Sequence, residues 1–194
     1  MTENEAMQLA KEIIAIPENY RLAEYEKVSH DKLPIVRMRF ISDKNSENQM
    51  GGEHFSITVD PHNRRLMGLM HLEKTTETEN YVDEEQAKSI TFDFLRAYAE
   101  DLIDTIEVRW IKPTRKIPVN SPHDDAFTLN DGSVITGMRV KLWSNGAGNY
   151  AWVIVNASGK VINFERDIAW STLRHCRTTE KWLHDDWLQN NKKK

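Results

Sequence analysis

Hydrophobic side chains recur at helical spacing in two separate segments of the chain. In the first segment they are Ala6, Leu9, Ala10, Ile13 and Ile14, and in the second they are Ala87, Ile90, Phe94 and Leu95. Only Thr91 interrupts the second stripe. Because residues three and four positions apart share a face of an α-helix, each segment predicts a helix with one buried face.

The ends of both predicted helices are marked by capping and helix-breaking residues. We expect Thr2 or Asn4 to cap the first helix, since both side chains can accept a hydrogen bond from an N-terminal amide. Pro17 is expected to end that helix, because proline has no backbone donor and restricts the residue before it. Asp83 is expected to cap the second helix, which runs to about residue 101.

Alternating hydrophobic and polar residues follow each predicted helix. The alternation predicts strands at 20–28, 36–41, 55–60 and 65–72, and again at 105–111, 133–143, 150–155 and 160–168. The last two strands of each set are joined by related turns, Val-Asp-Pro-His-Asn-Arg at 59–64 and Val-Asn-Ala-Ser-Gly-Lys at 155–160. The same order of helix and strands is therefore predicted twice.

This pattern predicts an α+β protein made of two tandem repeats, each with one helix packed on an antiparallel sheet of about four strands. We expect the first repeat at 1–76, the second at 77–170, and a C-terminal tail at 171–194.

The second repeat differs from the first by a proline-rich insertion at 112–131, which cannot form a central strand. Its prolines are Pro113, Pro118 and Pro122. The tail is predicted to form a short amphipathic helix, because hydrophobic residues recur in it at helical spacing. These residues are Trp182, Leu183, Trp187 and Leu188.

Cationic side chains fall on one face of the predicted sheet in both repeats. Arg37 and Arg39 alternate with hydrophobic residues on one strand, as Arg139 and Lys141 do on its counterpart. The helices must cover the hydrophobic face, because an exposed apolar stripe of that size would aggregate. The basic pairs are therefore expected on the open outer face.

Arginine on an outer sheet face can bind carboxylates through paired hydrogen bonds, and tryptophan supplies contact area at interfaces. The candidate binding residues are Arg37, Arg39, Arg139, Lys141, Trp143 and Trp152. The competing interpretation is that the cations only keep the outer face soluble.

Composition limits the classes of partner. Hydrophobic residues make up 39% of the 194 residues and charged residues 29%, as in ordinary globular proteins. The net charge of −4 argues against a surface that neutralises phosphates, so no nucleic-acid partner is expected. No segment approaches the roughly 20 apolar residues of a membrane-spanning helix. Without the pattern of a secretory signal the chain is expected to be cytoplasmic, or extracytoplasmic if such a signal has been removed.

Candidate catalytic groups are few, and no catalytic residue, metal ligand or cofactor is assigned. The single cysteine, Cys176, follows His175 but has no identifiable orienting group. The tripeptide His-Asp-Asp at 123–125 and 184–186 offers metal-binding atoms without the spacing of a known metal motif. A small metal-dependent or cysteine-dependent hydrolase remains an alternative.

The spacing of Ala6 and Ala10 after acidic residues, followed by strands that end at Val59-Asp60 and Val155-Asn156, resembles the PepSY family of peptidase-propeptide-like modules. The resemblance covers residues 4–73 and 83–166. It implies a helix-on-sheet fold similar to cystatins and β-lactamase inhibitors, found as tandem pairs in Gram-positive bacteria. It also implies regulation or inhibition by binding a protein, often a peptidase, and mostly outside the cytoplasm.

The function expected from the sequence is that of a non-catalytic binding or inhibitory module. Such a module would recognise a protein or peptide through its sheet face and loops. A self-associating structural protein is a second alternative, in which edge strands or the tail helix pair two copies into a homodimer.

Overall fold

The computed structural model describes residues 1–43, 50–74, 81–114 and 126–191. The first half contains α1 (Glu3–Ile13), β1 (Tyr20–His30), β2 (Leu33–Ser42), β3 (His54–Asp60) and β4 (Arg65–Leu72). The second half contains α2 (Glu84–Tyr98), a 3₁₀ helix (Glu100–Thr105), β5 (Ile106–Pro113), β6 (Phe127–Thr128), β7 (Val134–Ile135), β8 (Met138–Ser144), β9 (Asn149–Val155) and β10 (Val161–Ile168). The chain continues with β11 (Trp170–Ser171), β12 (Cys176–Arg177) and α3 (Asp185–Asn191).

Both long helices begin at capping boxes. The Thr2 side chain accepts a hydrogen bond from the Glu5 amide, and the Glu5 carboxylate accepts one from the Thr2 amide. Asp83 and Gln86 make the same reciprocal pair at α2. The α-helix α2 ends at Tyr98, before the predicted end, and the chain continues as the 3₁₀ helix.

Within the described residues the main strands form one antiparallel sheet of eight strands, in the order β1-β2-β3-β4-β10-β9-β8-β5. The halves meet where β4 pairs with β10, for example at Gly68–Glu165 and Met70–Asn163. This confirms an α+β protein with a large antiparallel sheet. The prediction gave each repeat a sheet of about four strands, whereas the structure has one sheet of eight, because the β4–β10 ladder satisfies backbone groups that an edge strand would leave unpaired.

The two halves share details of strand pairing. Tyr20 pairs with Ser42 at the start of the β1–β2 ladder, and Ile106 pairs with Ser144 at the start of the β5–β8 ladder. A bulge then interrupts the register after Leu22 in β1, and another interrupts it after Val108 in β5. If the pair that contains the serine is counted as the first, the bulge follows the third pair in both ladders.

One face of the sheet packs against α1 and α2 in a single hydrophobic core that spans both halves. Burying each large aliphatic side chain in such a core contributes about 1.5–3 kcal/mol to folding. Its buried members include Leu9, Ile57, Leu66, Leu95, Val140, Val153 and Phe164.

The other face of the sheet carries a smaller hydrophobic cluster beneath the β6–β7 hairpin and the C-terminal segment, residues 178–191. The cluster comprises Met70, Leu72, Leu129, Ile135, Ile154, Ile162 and Leu183. This face was predicted to be open, and that prediction is wrong in the region that the C-terminal segment crosses.

The predicted strand at 133–143 is divided. Val134 and Ile135 belong to the β6–β7 hairpin, and β8 begins only at Met138. At Gly137 a Cβ atom would lie 2.5 Å from the carbonyl oxygen of Val155, so only glycine allows the backbone this close an approach. The part of the predicted insertion at 115–125 lies outside the described residues.

Candidate binding cleft on the sheet face

A cleft of about 800 Å³ lies on the sheet face opposite the two long helices. Strands β4, β8, β9 and β10 form its floor, and the β6–β7 hairpin, the β11–β12 hairpin and the C-terminal segment form its walls. Cationic and aromatic side chains line it together. They are Trp110, Phe127, Arg139, Lys141, Trp152, Trp170, Arg177 and Lys181.

The Lys141 ammonium group lies among three aromatic rings of the described residues. Its Nζ is 4.2 Å from the ring centre of Tyr150, 4.9 Å from that of Trp170 and 5.6 Å from that of Trp110. Such contacts are attractive because the ring faces carry partial negative charge. They attach the start of the β11–β12 hairpin to the sheet.

Trp152 organises the centre of the cleft. The guanidinium carbons of Arg139 and Arg177 lie 5.3 Å and 5.6 Å from its ring centre. Its indole Nε1 donates a hydrogen bond of 3.1 Å to Asn163, whose Nδ2 donates in turn to the Leu69 carbonyl at 3.1 Å. The ring is therefore fixed across three neighbouring strands.

A buried carboxylate holds the walls of the cleft to its floor. Glu165 on β10 accepts hydrogen bonds from Arg177 Nη1 at 2.6 Å and from His184 Nε2 at 2.8 Å. Burial alone would raise the pKa of Glu165, but the charges and hydrogen bonds of Arg177 and His184 outweigh it and hold that pKa far below its usual range. Glu165 is therefore ionised at neutral pH and ties β12 and the C-terminal segment to the sheet.

Arg37 and Arg39 lie on the sheet face opposite α1 and α2, but the C-terminal segment buries them completely, so the prediction of an open face is wrong at these positions. Arg37 Nη1 donates to Glu24 at 2.6 Å and to Glu26 at 3.3 Å, and its Nε donates to the Trp182 carbonyl at 2.8 Å. The two arginines can be buried because protein groups replace the water that their charges need. Carboxylates from β1 and from the C-terminal segment, and one carbonyl of that segment, take its place.

Asp185 at the start of α3 is the main contact between the tail and Arg39. Its two carboxylate oxygens accept hydrogen bonds of 2.7 Å and 3.1 Å from the Arg39 guanidinium, and one of them also accepts from the Gly51 amide at 2.5 Å. Burial lowers the pKa of Arg39, and the Asp185 charge opposes that effect. This bidentate pair anchors α3 on the first half of the sheet.

His54 lies next to this ion pair and lines the cleft. Its Nδ1 donates to the Gly52 carbonyl at 2.8 Å. Burial, followed by the nearby Arg39 charge, lowers the pKa of His54 to about 4, so the imidazole is neutral at physiological pH.

The structure brings three of the predicted binding residues together in the cleft, namely Arg139, Lys141 and Trp152. Trp143 lies beside them on the same face, in contact with Tyr150 at 4.7 Å between ring centres and with Arg109 at 5.5 Å, but it does not line the cleft.

Sequence reasoning missed Trp110, Trp170, Arg177 and Lys181. Of these, only Trp110 had a usable signal, because it lies on a predicted strand and pairs with Lys141 once the β5–β8 register is known. Trp170 follows the last predicted strand, and Arg177 and Lys181 lie in the tail; no pattern in the sequence indicated that these three residues contact the sheet.

Groups with catalytic potential are not assembled into a reactive site in the described part of the chain. Cys176 is half-buried at the cleft, whereas His175 is exposed. In the second His-Asp-Asp tripeptide, His184 binds Glu165 and Asp185 binds Arg39, and the first tripeptide lies outside the described residues. Among residues 1–43, 50–74, 81–114 and 126–191, no group of three or more His, Cys, Asp or Glu side chains is placed to hold a metal ion.

The cleft offers a ligand two kinds of contact, with cations and with aromatic rings. Cations fixed against aromatic rings can bind carboxylates and pack on apolar side chains without large rearrangement. None of the described helices combines the length and the hydrophobicity required to cross a lipid bilayer.

Comparison with known proteins identifies a family but no individual relative. No curated protein and no solved structure matches the chain. The family model of the YcdB, YcdC repeated domain, DUF4901, matches residues 3–128, from the first residue of α1 to the last residue of β6. Because this match covers well over half of the sequence, the chain belongs to the YcdB, YcdC repeated domain family.

Proposed function

We propose that the protein is a non-catalytic binding module that holds a segment of another protein or a peptide in the sheet-face cleft. The observation that carries this proposal is the cleft of about 800 Å³ with cationic and aromatic side chains mounted on paired strands. Arginine and tryptophan dominate the binding energy of protein interfaces, and side chains on strands are better fixed than side chains on loops. Inhibition of the bound protein is one form that such binding can take.

We also propose that the two halves, 1–76 and 77–170, arose as tandem repeats and that the tail at 171–194 follows them. The matching bulges in β1 and β5 support it, and so does the presence in each half of one long helix and four strands of the eight-stranded sheet. A relationship to PepSY modules, which resemble this helix-on-sheet order, is part of the same proposal.

Panning a random peptide library against the purified chain tests the proposed function. We expect enriched peptides whose affinity falls at least tenfold, about 1.4 kcal/mol, when Arg139→Gln and Lys141→Gln are combined, because charge-assisted hydrogen bonds contribute about this much. The matched control is the double variant Lys88→Gln with Arg96→Gln, which removes the same charge from exposed positions on α2.

The control variant should bind the enriched peptides like the wild type. If no peptide is enriched, or if both double variants bind the enriched peptides equally well, the cleft is not the binding site and the proposal is wrong. Circular dichroism of each variant establishes that the fold is retained.

A further inference from the structure

We infer that His54 is a ligand-binding residue of the cleft and that its Nε2 accepts a hydrogen bond from the hydroxyl group of a tyrosine side chain in the bound segment. This inference rests on the proposed function and names one chemical feature of its ligand. Its basis is a buried acceptor atom at one end of the cleft that has no hydrogen-bond partner in the described part of the chain.

The backbone carbonyl of Gly52 decides which ring nitrogen of His54 carries the hydrogen. Nδ1 lies 2.8 Å from this carbonyl oxygen, and because a carbonyl only accepts hydrogen bonds, Nδ1 is the donor. Burial, followed by the Arg39 charge, lowers the pKa of His54 to about 4, so the ring is neutral at physiological pH. In a neutral imidazole the second nitrogen has a free lone pair. Nε2 of His54 is therefore an acceptor.

His54 differs from the other buried histidines in this respect. His30 Nε2 lies 3.0 Å from the Asp167 carbonyl oxygen, and His71 Nε2 lies 2.9 Å from a carboxylate oxygen of Glu73. Among the histidines of the described residues, His54 alone has a buried ring nitrogen that lacks a hydrogen-bond partner. Most buried polar side-chain atoms in proteins have such a partner. An acceptor without one, on a residue that lines a cleft, thus indicates a position for a donor of the ligand.

The loop that orients His54 is held by two walls of the cleft. The Gly51 amide donates to the Asp185 carboxylate of α3 at 2.5 Å. The Asn130 amide, in the β6–β7 hairpin, donates to the Gly51 carbonyl at 2.9 Å. The next residue, Gly52, supplies the carbonyl that binds His54 Nδ1. The acceptor is therefore fixed before a ligand arrives, which lowers the entropic cost of binding.

The surroundings of His54 favour a donor on an apolar group. Leu72 pairs with His54 across the β3–β4 ladder, and Met70 and Leu129 line the same cleft. The Arg39 charge that disfavours protonation of His54 also disfavours the ammonium group of a ligand lysine. Tyrosine combines an apolar ring with an uncharged hydroxyl group at its end, whereas serine and threonine lack the ring. A tyrosine side chain therefore matches this end of the cleft.

Two small compounds that differ only in the donor test the inference. The probe is N-acetyl-tyrosinamide, and the control is its O-methyl ether, which keeps the ring but has no hydroxyl hydrogen. Both are titrated into the full chain labelled with ¹⁵N, and binding is followed by nuclear magnetic resonance. We expect the probe to bind about fivefold more tightly than the ether, since a neutral hydrogen bond contributes about this much. The probe should also shift the Nε2 signal of His54 upfield, and the ether should not.

Protein variants show whether His54 causes this difference. His54→Leu should bind the two compounds with affinities within about twofold of each other, because the acceptor is gone. The matched control is His62→Leu at an exposed position between β3 and β4, which should keep the full difference. The ratio of the two affinities is compared within each variant, so a general loosening of the cleft does not imitate the expected result. The Nε2 signal of the wild type tests the inference without any variant.

Equal binding of the two compounds by the wild type would overturn the inference, and so would a ratio that His54→Leu leaves unchanged. An Nε2 signal that the probe does not move would overturn it as well, since the acceptor would then be occupied by water or closed to ligands.

Failure of the inference and failure of the proposed function give different results. If the library yields peptides that depend on Arg139 and Lys141 but the tyrosine amide does not bind at His54, the protein is a peptide-binding module with another specificity. If neither the peptides nor the amide bind the cleft, both proposals are wrong.

Discussion

Asp60 shows how single polar side chains are stabilised when the fold buries them. It lies at the end of β3 with a completely buried side chain and accepts hydrogen bonds from the amides of His62 and Asn63. The side chains of Asn63 and Arg65 donate to it at 2.7 Å and 2.8 Å. Burial raises the pKa of Asp60, but these hydrogen bonds outweigh it and lower that pKa to about 2.

The free energy of unfolding should therefore depend on the ionisation of Asp60. Because its pKa is lower in the folded chain than in the unfolded one, Asp60 contributes stability above about pH 4 and loses that contribution as the pH falls to about 2. Urea denaturation at several pH values measures the free energy of unfolding of wild type and of Asp60→Asn. The difference between them should shrink by about 2 kcal/mol over this pH range. Asp43→Asn, at an exposed position, should stay within about 0.5 kcal/mol of wild type throughout, and a constant difference for Asp60→Asn would contradict the expectation.

The C-terminal segment is the element whose position matters most for the cleft. It covers Arg37 and Arg39, forms one wall of the cleft, and contacts β1 through the Trp182 indole, which donates to the Ser29 carbonyl at 2.7 Å. An isolated helix as short as α3 would not be stable in water. Its stability depends on the ion pair at Asp185 and on the burial of Leu183 and Leu188.

Neighbouring aspartates at the start of α3 provide a matched test of this attachment. Asp185→Ala leaves the guanidinium of Arg39 buried without its carboxylate, so it should reduce the free energy of unfolding by about 3–5 kcal/mol. Asp186→Ala removes the same charge from an exposed position and should cost no more than about 0.5 kcal/mol. Urea denaturation of both variants measures the difference, and equal stabilities would show that the ion pair does not hold the tail.

At the scale of the whole molecule, the halves are joined by the β4–β10 ladder and by one hydrophobic core. Such a connection predicts that the halves unfold together, because separating them exposes both the ladder and core side chains. All six tryptophans lie at or after residue 110, so their fluorescence reports on the second half and the tail. Far-ultraviolet circular dichroism reports on both halves.

Urea unfolding followed by these two signals should give coincident transitions with the same midpoint. A fluorescence transition that is separated from the circular dichroism transition would mean that the halves unfold independently. The single-sheet arrangement would then contribute little to the stability of either half.

The sequence by itself determined the local elements and their faces. Capping residues, Thr2 or Asn4 for the first helix and Asp83 for the second, predicted the helix starts. The alternation on β2 and β8 predicted which side chains face the core, because such features depend on neighbours a few residues away. The α+β class followed from the same patterns.

Only the tertiary structure decided which elements meet. It joined β4 to β10, buried Arg37 and Arg39 under the tail, and assembled Trp110, Trp170 and Arg177 around the cations of β8. Periodicity along a chain specifies which face of an element is apolar but carries no information about its distant partner. Pairing across such distances depends on the burial and charge compensation of the complete fold.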